Sequence, residues 1–198
     1  MATRSAATAT LTHHSETAPV VAEIARELSG AQWVDRFPGS SSVEDLNPDF
    51  AAKVGKSISA IRATGASVRV SATFRPKERA YLMHYSAAIA KGTIAAARVP
   101  RMDGVNIEWQ HDSDKESQSA ASSMTAGYRI VYPPALSSRH TEKAAIDMTI
   151  TGLIGKTMKN ASGEDIEIKN NEDIFSVGAT YRVIKLVSDP QHWSDNGQ

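Results

Sequence analysis

Apolar and polar positions along this chain follow two periods, and the switches between them mark its elements. Val20, Val21, Ile24 and Leu28 fall at helical spacing between Thr17 and Ser29. A Phe-Pro-Gly-Ser-Ser-Ser run at 37–42 is a loop. Asn47 before Pro48 signals a helix start, with Asn as cap and Pro in the first turn. Phe50, Val54, Ile58 and Ile61 carry its apolar face as far as Gly65, which stops it. The period then changes to two. Val68, Val70, Ala72 and Phe74 alternate with Ser67, Arg69, Ser71 and Thr73, predicting a half-buried strand that delivers Arg75 at its end.

Helical spacing returns over Lys77–Lys91, with Tyr81, Met83, His84, Tyr85, Ala88 and Ile89 inward and Gly92 as the stop. Val105–Trp109 suits a short strand, residues 110–118 a polar surface loop, and Ser119–Gly127 a short helix with Ala120, Ala121 and Met124 inward. Tyr128–Tyr132 reads as a strand broken by Pro133-Pro134. Ala144–Ile150 is a further strand, Ile166–Ile168 is extended, an Asn-Asn-Glu-Asp run at 170–173 opens a short helix, and Val183–Val187 is a strand leading towards Asp189. Helices dominate early and strands late, which predicts an α+β fold with a mainly antiparallel central sheet. Residues 1–18, rich in Ala, Thr and Ser, lack an apolar period and are expected to be a flexible tail, leaving 19–198 as a single domain.

Composition narrows the functional classes. Lys plus Arg and Asp plus Glu both number 22, so the net charge is zero and nothing favours a nucleic-acid partner. The chain has no cysteine, which removes thiol nucleophiles and Cys-based metal folds; any zinc must use His and carboxylate. No membrane-spanning run is present, and the first twenty residues contain no apolar stretch of secretory type, so neither an anchor nor a leader is expected.

The candidate chemistry lies in two separate stretches. Alternation along Ala145–Thr149 puts Asp147 on one face with Ala145 and Thr149, opposite Ile146 and Met148. A carboxylate leaving an otherwise apolar strand is costly to bury, and a metal ion removes that cost. His140 precedes it, and Asp189 and His192 follow far downstream in Asp-Pro-Gln-His-Trp. Two imidazoles and one carboxylate make a three-ligand zinc set with an open fourth position, leaving the second carboxylate to handle protons. The remaining histidines read more blandly: His13 and His14 as tail residues, His84 as a satisfied core or rim side chain, His111 as loop chemistry beside Asp112. Trp193 is expected to pack beside the site. Asp195 is expected at the surface, as the first alternative should Asp189 fail as base.

In order, Ser138-x-His140, Ala145-x-Asp147 and Asp189-x-x-His192-Trp193 resemble the zinc D-Ala-D-Ala peptidases, a group that includes D,D-carboxypeptidases, D,D-dipeptidases and phage L-alanyl-D-glutamate endolysins. Ser71-Ala-Thr-Phe-Arg75-Pro is similar to the family strand that presents a substrate-binding Arg, so the likeness spans residues 65–193, with 100–135 particular to this chain. One position departs. The glycine of the family pattern falls at Lys143, so that turn must change shape or hold a non-Gly residue at positive φ.

The resemblance implies a Hedgehog/D-Ala-D-Ala peptidase-like fold with helices on one side of the sheet. It implies Zn2+ held by His140, Asp147 and His192 with water at the fourth position, and Asp189 passing a proton from that water to the leaving amine. Arg75 would pair with a carboxylate or a developing oxyanion, and Ser138 would hydrogen-bond the peptide. The implied activity is hydrolysis of a peptidoglycan stem peptide or cross-link at a bond involving D-alanine. Cleavage between L-alanine and D-glutamate is the near alternative, and a non-catalytic zinc-containing binding module, as in Hedgehog-type relatives, is the reading from another class. Wall-directed activity without a leader points to synthesis in the cytoplasm and action in the wall or periplasm, as a phage lysis enzyme or as an effector delivered by a secretion apparatus and matched by an immunity protein.

Overall fold

The computed structural model describes residues 25–131 and 134–198. Strand β1 (Glu27–Leu28) pairs in parallel with Ile107–Glu108. The helix expected over Thr17–Ser29 is therefore absent from its described part. Main-chain bonds from Glu27 N to Asn106 O (2.9 Å) and Ser29 N to Glu108 O (2.7 Å) hold this stretch extended, and Leu28 stays 49% exposed rather than joining an apolar face. Residues 17–24 and the tail expected at 1–18 lie outside the described residues.

Helix α1 (Pro48–Ala63) starts where Asn47 accepts the Phe50 N–H at 2.9 Å, buries Phe50, Val54, Ile58 and Ile61, and is followed by Gly65 at φ 79. Strand β2 (Ser67–Ala72) and helix α2 (Lys77–Ala90) come next, then β3 (Ile107–Glu108), the partner of β1. Helix α3 (Asp114–Gly127) begins five residues before the expected Ser119, because Ser113 caps it by accepting the Glu116 N–H. The strand expected at Tyr128–Tyr132 is not formed over its described residues. Its N–H groups are already spent on the helix end: Tyr128 N donates to Met124 O, Ile130 N to Thr125 O, and Arg129 turns the chain at φ 55.

The second half supplies β4 (Ala145–Thr151), the hairpin of β5 (Thr157–Lys159) and β6 (Asp165–Glu167), α4 (Asn171–Thr180), β7 (Ile184–Lys185) and β8 (His192–Ser194). Asn170 and Asp173 cap α4 reciprocally. Among the described residues the content is mixed, with four α-helices and a four-stranded antiparallel sheet in the order β2-β4-β8-β7.

One face of that sheet is apolar. Ile146, Met148 and Trp193 pack with Phe50, Val54 and Ile58 of α1. A fully buried side chain of this size contributes about 1.5–3 kcal/mol. The hairpin closes a further cluster with Ile61, Leu153 and Ile168. Helices α2 and α3 instead share a separate core built on Trp33, Tyr81, Leu82, Tyr85 and Met124.

The other face of β4 carries the candidate site, and β2 adapts to it. Val68 and Val70 pair with Ile150 and Met148, but the register slips so that Ala72 stands opposite Asp147. Simple alternation through Ala72 is thereby corrected: the extra residue, Ser71, makes a bulge that brings a small side chain across from Asp147. Ser71 Oγ then donates to Asp147 O at 3.2 Å.

Candidate metal centre

Three elements bring three side chains together. Asp147 sits in the middle of β4, and its register partner on β8 is His192. His140 arrives from the turn before β4, where its own main-chain oxygen accepts Arg75 N at 3.2 Å and Lys143 N at 3.3 Å. The two imidazoles are buried, at 3% and 6% exposure, while Asp147 is half-buried. His140 Nε2 lies 3.0 Å from Asp147 Oδ1 and 3.1 Å from His192 Nδ1, which is itself 3.2 Å from Asp147 Oδ1. These residues could hold a metal ion.

The outer nitrogens decide what the inner ones present. His140 Nδ1–H donates to Thr73 O at 3.1 Å, and His192 Nε2–H donates to Gln198 O at 3.0 Å. A main-chain carbonyl only accepts, so each ring spends its proton outward when neutral. Two nitrogen lone pairs and a carboxylate oxygen then converge on one point. That convergence is repulsive until a cation stands between them, and outward ties of this kind are how metal-bound imidazoles are oriented. Zinc bonds of about 2.0–2.1 Å at tetrahedral angles place ligand atoms about 3.3 Å apart. The observed edges of 3.0–3.2 Å need only a slight spread.

The titration behaviour reflects the same field. Burial by itself would raise the Asp147 pKa, but in the metal-free protein the protonated imidazoles of His140 and His192 donate to it, and those hydrogen bonds and their charge outweigh burial and hold the carboxyl well below the usual range. Burial opposes charge on His192; the hydrogen bond to Asp147, the Gln198 carbonyl and the charges of Asp147 and Asp189 prevail and raise its pKa.

Around the triad is a cleft of about 710 Å³ whose lining includes Arg75, Ser138, Arg139, Asp189 and Leu186. Asp189 is exposed, outside the ligand cluster, with Oδ1 accepting the Gln191 N–H at 3.2 Å. Arg75 is half-buried, and among the described residues its guanidinium has no hydrogen-bonded partner. Burial lowers its pKa, and Arg79 adds to this against the opposing charges of Asp147 and Asp189. Among the described residues, Ser138 Oγ is buried and has no hydrogen-bond partner. The sequence-predicted residues His140, Asp147, His192, Asp189, Arg75 and Ser138 thus all reach one cleft.

Neighbouring residues occupy more specific places than their sequence context suggests. Trp193 is 3% exposed on the apolar face, against Phe175 at 5.8 Å between centroids. Asp195 does not stand free at the surface: Arg139 grips both its oxygens, Nε–Oδ1 at 2.9 Å, and also binds Glu142, tying the His140 turn to the end of β8. His84 Nδ1 contacts Pro134 O at 2.9 Å, and His111 Nε2 contacts Ser29 Oγ at 3.0 Å. Lys143, where the family pattern has glycine, adopts φ 58. Arg139 carried a signal that sequence reasoning missed, a basic residue beside a ligand with an acidic one past the second motif. The Thr73 and Gln198 carbonyls carried none, since every residue has one.

No helix among the described residues is long and apolar enough to cross a membrane. In comparisons with known proteins, no family model and no curated protein matches the chain.

Proposed function

We propose that this chain is a zinc-dependent peptidase that hydrolyses peptidoglycan peptides at a bond involving D-alanine, on a Hedgehog/D-Ala-D-Ala peptidase-like scaffold. One observation carries the reading: the lone pairs of His140 and His192, their outer nitrogens committed to Thr73 and Gln198, meet the Asp147 carboxylate on the floor of a cleft that also receives Asp189 and Arg75. Two imidazoles and one carboxylate suit zinc better than calcium or magnesium, which favour all-oxygen sets. Bound there, zinc supplies Lewis acidity, which acidifies a water and polarises a carbonyl.

The side chains supply the rest. Asp189 has one oxygen engaged by Gln191 N and the other available to take a proton from the attacking water and return it to the leaving amine. Arg75, whose guanidinium has no hydrogen-bonded partner among the described residues, offers parallel N–H donors to a substrate carboxylate or to the oxygen that gains charge. The unpartnered Ser138 hydroxyl is complementary to a peptide group. The choice of peptidoglycan rests on the order of the Ser138–His140–Asp147 and Asp189–His192–Trp193 motifs. A wall substrate in turn suits a phage lysis enzyme or an injected effector with a cognate immunity protein.

Purified muropeptides incubated with protein carrying one equivalent of zinc test the reading, with products identified by mass. Loss of a terminal alanine, or opening of a D-alanine cross-link, is expected. Products cut between L-alanine and D-glutamate would shift the specificity to the endolysin type. Intact muropeptides with zinc fully bound would favour a non-catalytic zinc module.

A further inference from the structure

We infer that Lys185 is the positioning residue of the loop that joins β7 to β8: its ammonium gathers the carbonyls of Leu186, Asp189 and His192 and so fixes where Asp189 presents its carboxylate. The role given to Asp189 rests on the hydrolase reading; the bracing of the loop does not.

Lys185 pairs with Trp193 across β7 and β8, so its stem lies on the apolar face, with Nζ 5.6 Å from the Trp193 ring centroid and 5.9 Å from that of Phe175. The head group then turns back to the rim of the sheet. It donates to Leu186 O at 2.6 Å, to His192 O at 3.0 Å and to Asp189 O. Three acceptors meet three N–H groups. A neutral amine has two, so the geometry calls for the charged form.

The loop needs such a brace. Val187, Ser188, Asp189 and Pro190 are all exposed and bury no apolar anchor. The stretch is held from within by local turns, Asp189 N to Leu186 O at 3.1 Å and His192 N to Asp189 O at 3.2 Å. Its next fixed point is Gln191, whose carbonyl accepts Met148 N at 2.9 Å. Among the described residues, Lys185 is the side chain that donates to the main chain of this stretch. One ammonium therefore couples the backbone of the proposed base to that of a metal ligand.

Because the chain contains no cysteine, Lys185→Cys introduces a unique thiol. Alkylation of the folded protein with 2-bromoethylamine restores an ammonium at the same reach. Amide exchange at Asp189 and His192 is expected to quicken about ten- to hundredfold in the thiol form, the change for losing a charged hydrogen bond, and to return after alkylation. On muropeptides with zinc held at saturation, kcat should fall about hundredfold with KM retained, as for a misplaced group, and should recover in the same way. Wild-type exchange rates in the thiol form would overturn the inference. Lys185→Met, which keeps the stem against Trp193, repeats the comparison independently. Loss of the whole fold in both variants would make Lys185 a general structural residue and overturn the inference too. Exchange is measured without substrate, so inert muropeptides would remove the hydrolase reading and leave this result intact.

Discussion

The carbonyl of Lys143 accepts two hydrogen bonds from Asn47, from its main-chain N–H at 2.8 Å and from its side-chain amide at 3.0 Å. The residue that caps α1 thus also clamps the turn between His140 and Asp147, and Lys143 takes φ 58 within it. A left-handed backbone costs a non-Gly residue about 1–2 kcal/mol. Lys143→Gly should therefore leave stability within about 1 kcal/mol of wild type, relief of strain being offset by a freer unfolded chain. Asn47→Ala, which removes the cap and half the clamp, should cost about 1–2 kcal/mol. Denaturant titration of the two variants checks both values, and an unchanged midpoint for Asn47→Ala would show that the clamp contributes nothing.

His140→Ala, Asp147→Asn and His192→Ala should each weaken zinc binding by more than about a hundredfold, beyond the ~10–100-fold typical of losing an outer contact. Chelator competition with elemental analysis gives the affinity and the stoichiometry. Wild-type protein purified with excess zinc and retaining none after gel filtration would remove the metal site.

Asp189→Asn should bind zinc as wild type does and lose about 10²–10⁴ of turnover, the usual share of a positioned general base. If a zinc-loaded Asp189→Asn protein keeps its rate on muropeptides, the proton is handled elsewhere; Asp195 is then a poor substitute, since Arg139 already holds both its oxygens.

Proton binding and metal binding should pull in opposite directions on the alkaline side of pH 6. The His192 pKa is raised despite burial, by Asp147, Gln198 and Asp189. Its stabilising contribution to the metal-free protein is therefore full below the unfolded value of about 6.5 and lost as pH rises through the folded value. Metal requires the neutral ring, so affinity rises over the same window. Asp147, whose pKa is depressed, contributes above about 3.9 and is lost only in acid. Melting curves of metal-free and zinc-loaded protein across pH 5–9 should diverge from about pH 6.5 upward, with His192→Gln as baseline. Parallel curves would contradict this.

Gly178 lies where a Cβ would stand 2.7 Å from the Trp193 ring and 3.0 Å from Val183 O. Gly178→Ala should cost about 1–3 kcal/mol by overpacking. Gly55→Ala, with nothing within 4 Å, should instead stabilise α1 by about 0.5–1 kcal/mol. The difference between the two melting temperatures isolates the packing of Trp193 beside His192.

What the sequence revealed followed from side-chain identity and local period. Asn47-Pro48 and Gly65 bounded α1, alternation located β2 and β4, and the meeting of His140, Asp147 and His192 was readable because few residue types can ligate a metal. What it hid depends on main-chain partners. Residues 25–29 became extended because β3 was there to receive them, and Tyr128–Val131 failed as a strand because α3 consumed its N–H groups. The bulge at Ser71 lay hidden under an unbroken alternation from Ser67 to Phe74, and Lys185 looked like an ordinary strand lysine until the three carbonyls around its head group were placed.

The cross-strand pairing of Asp147 with His192 also limits how this region can be re-engineered. A single-residue insertion inside β8 would invert its sides, turning indole towards the cleft and imidazole into grease. Length changes between Val187 and Pro190 leave that pairing alone. Such changes would nevertheless shift Asp189 off the brace that Lys185 provides, so the span from Val187 to Pro190 tolerates substitution at its other positions, whereas the three-residue strand after it must also keep its count.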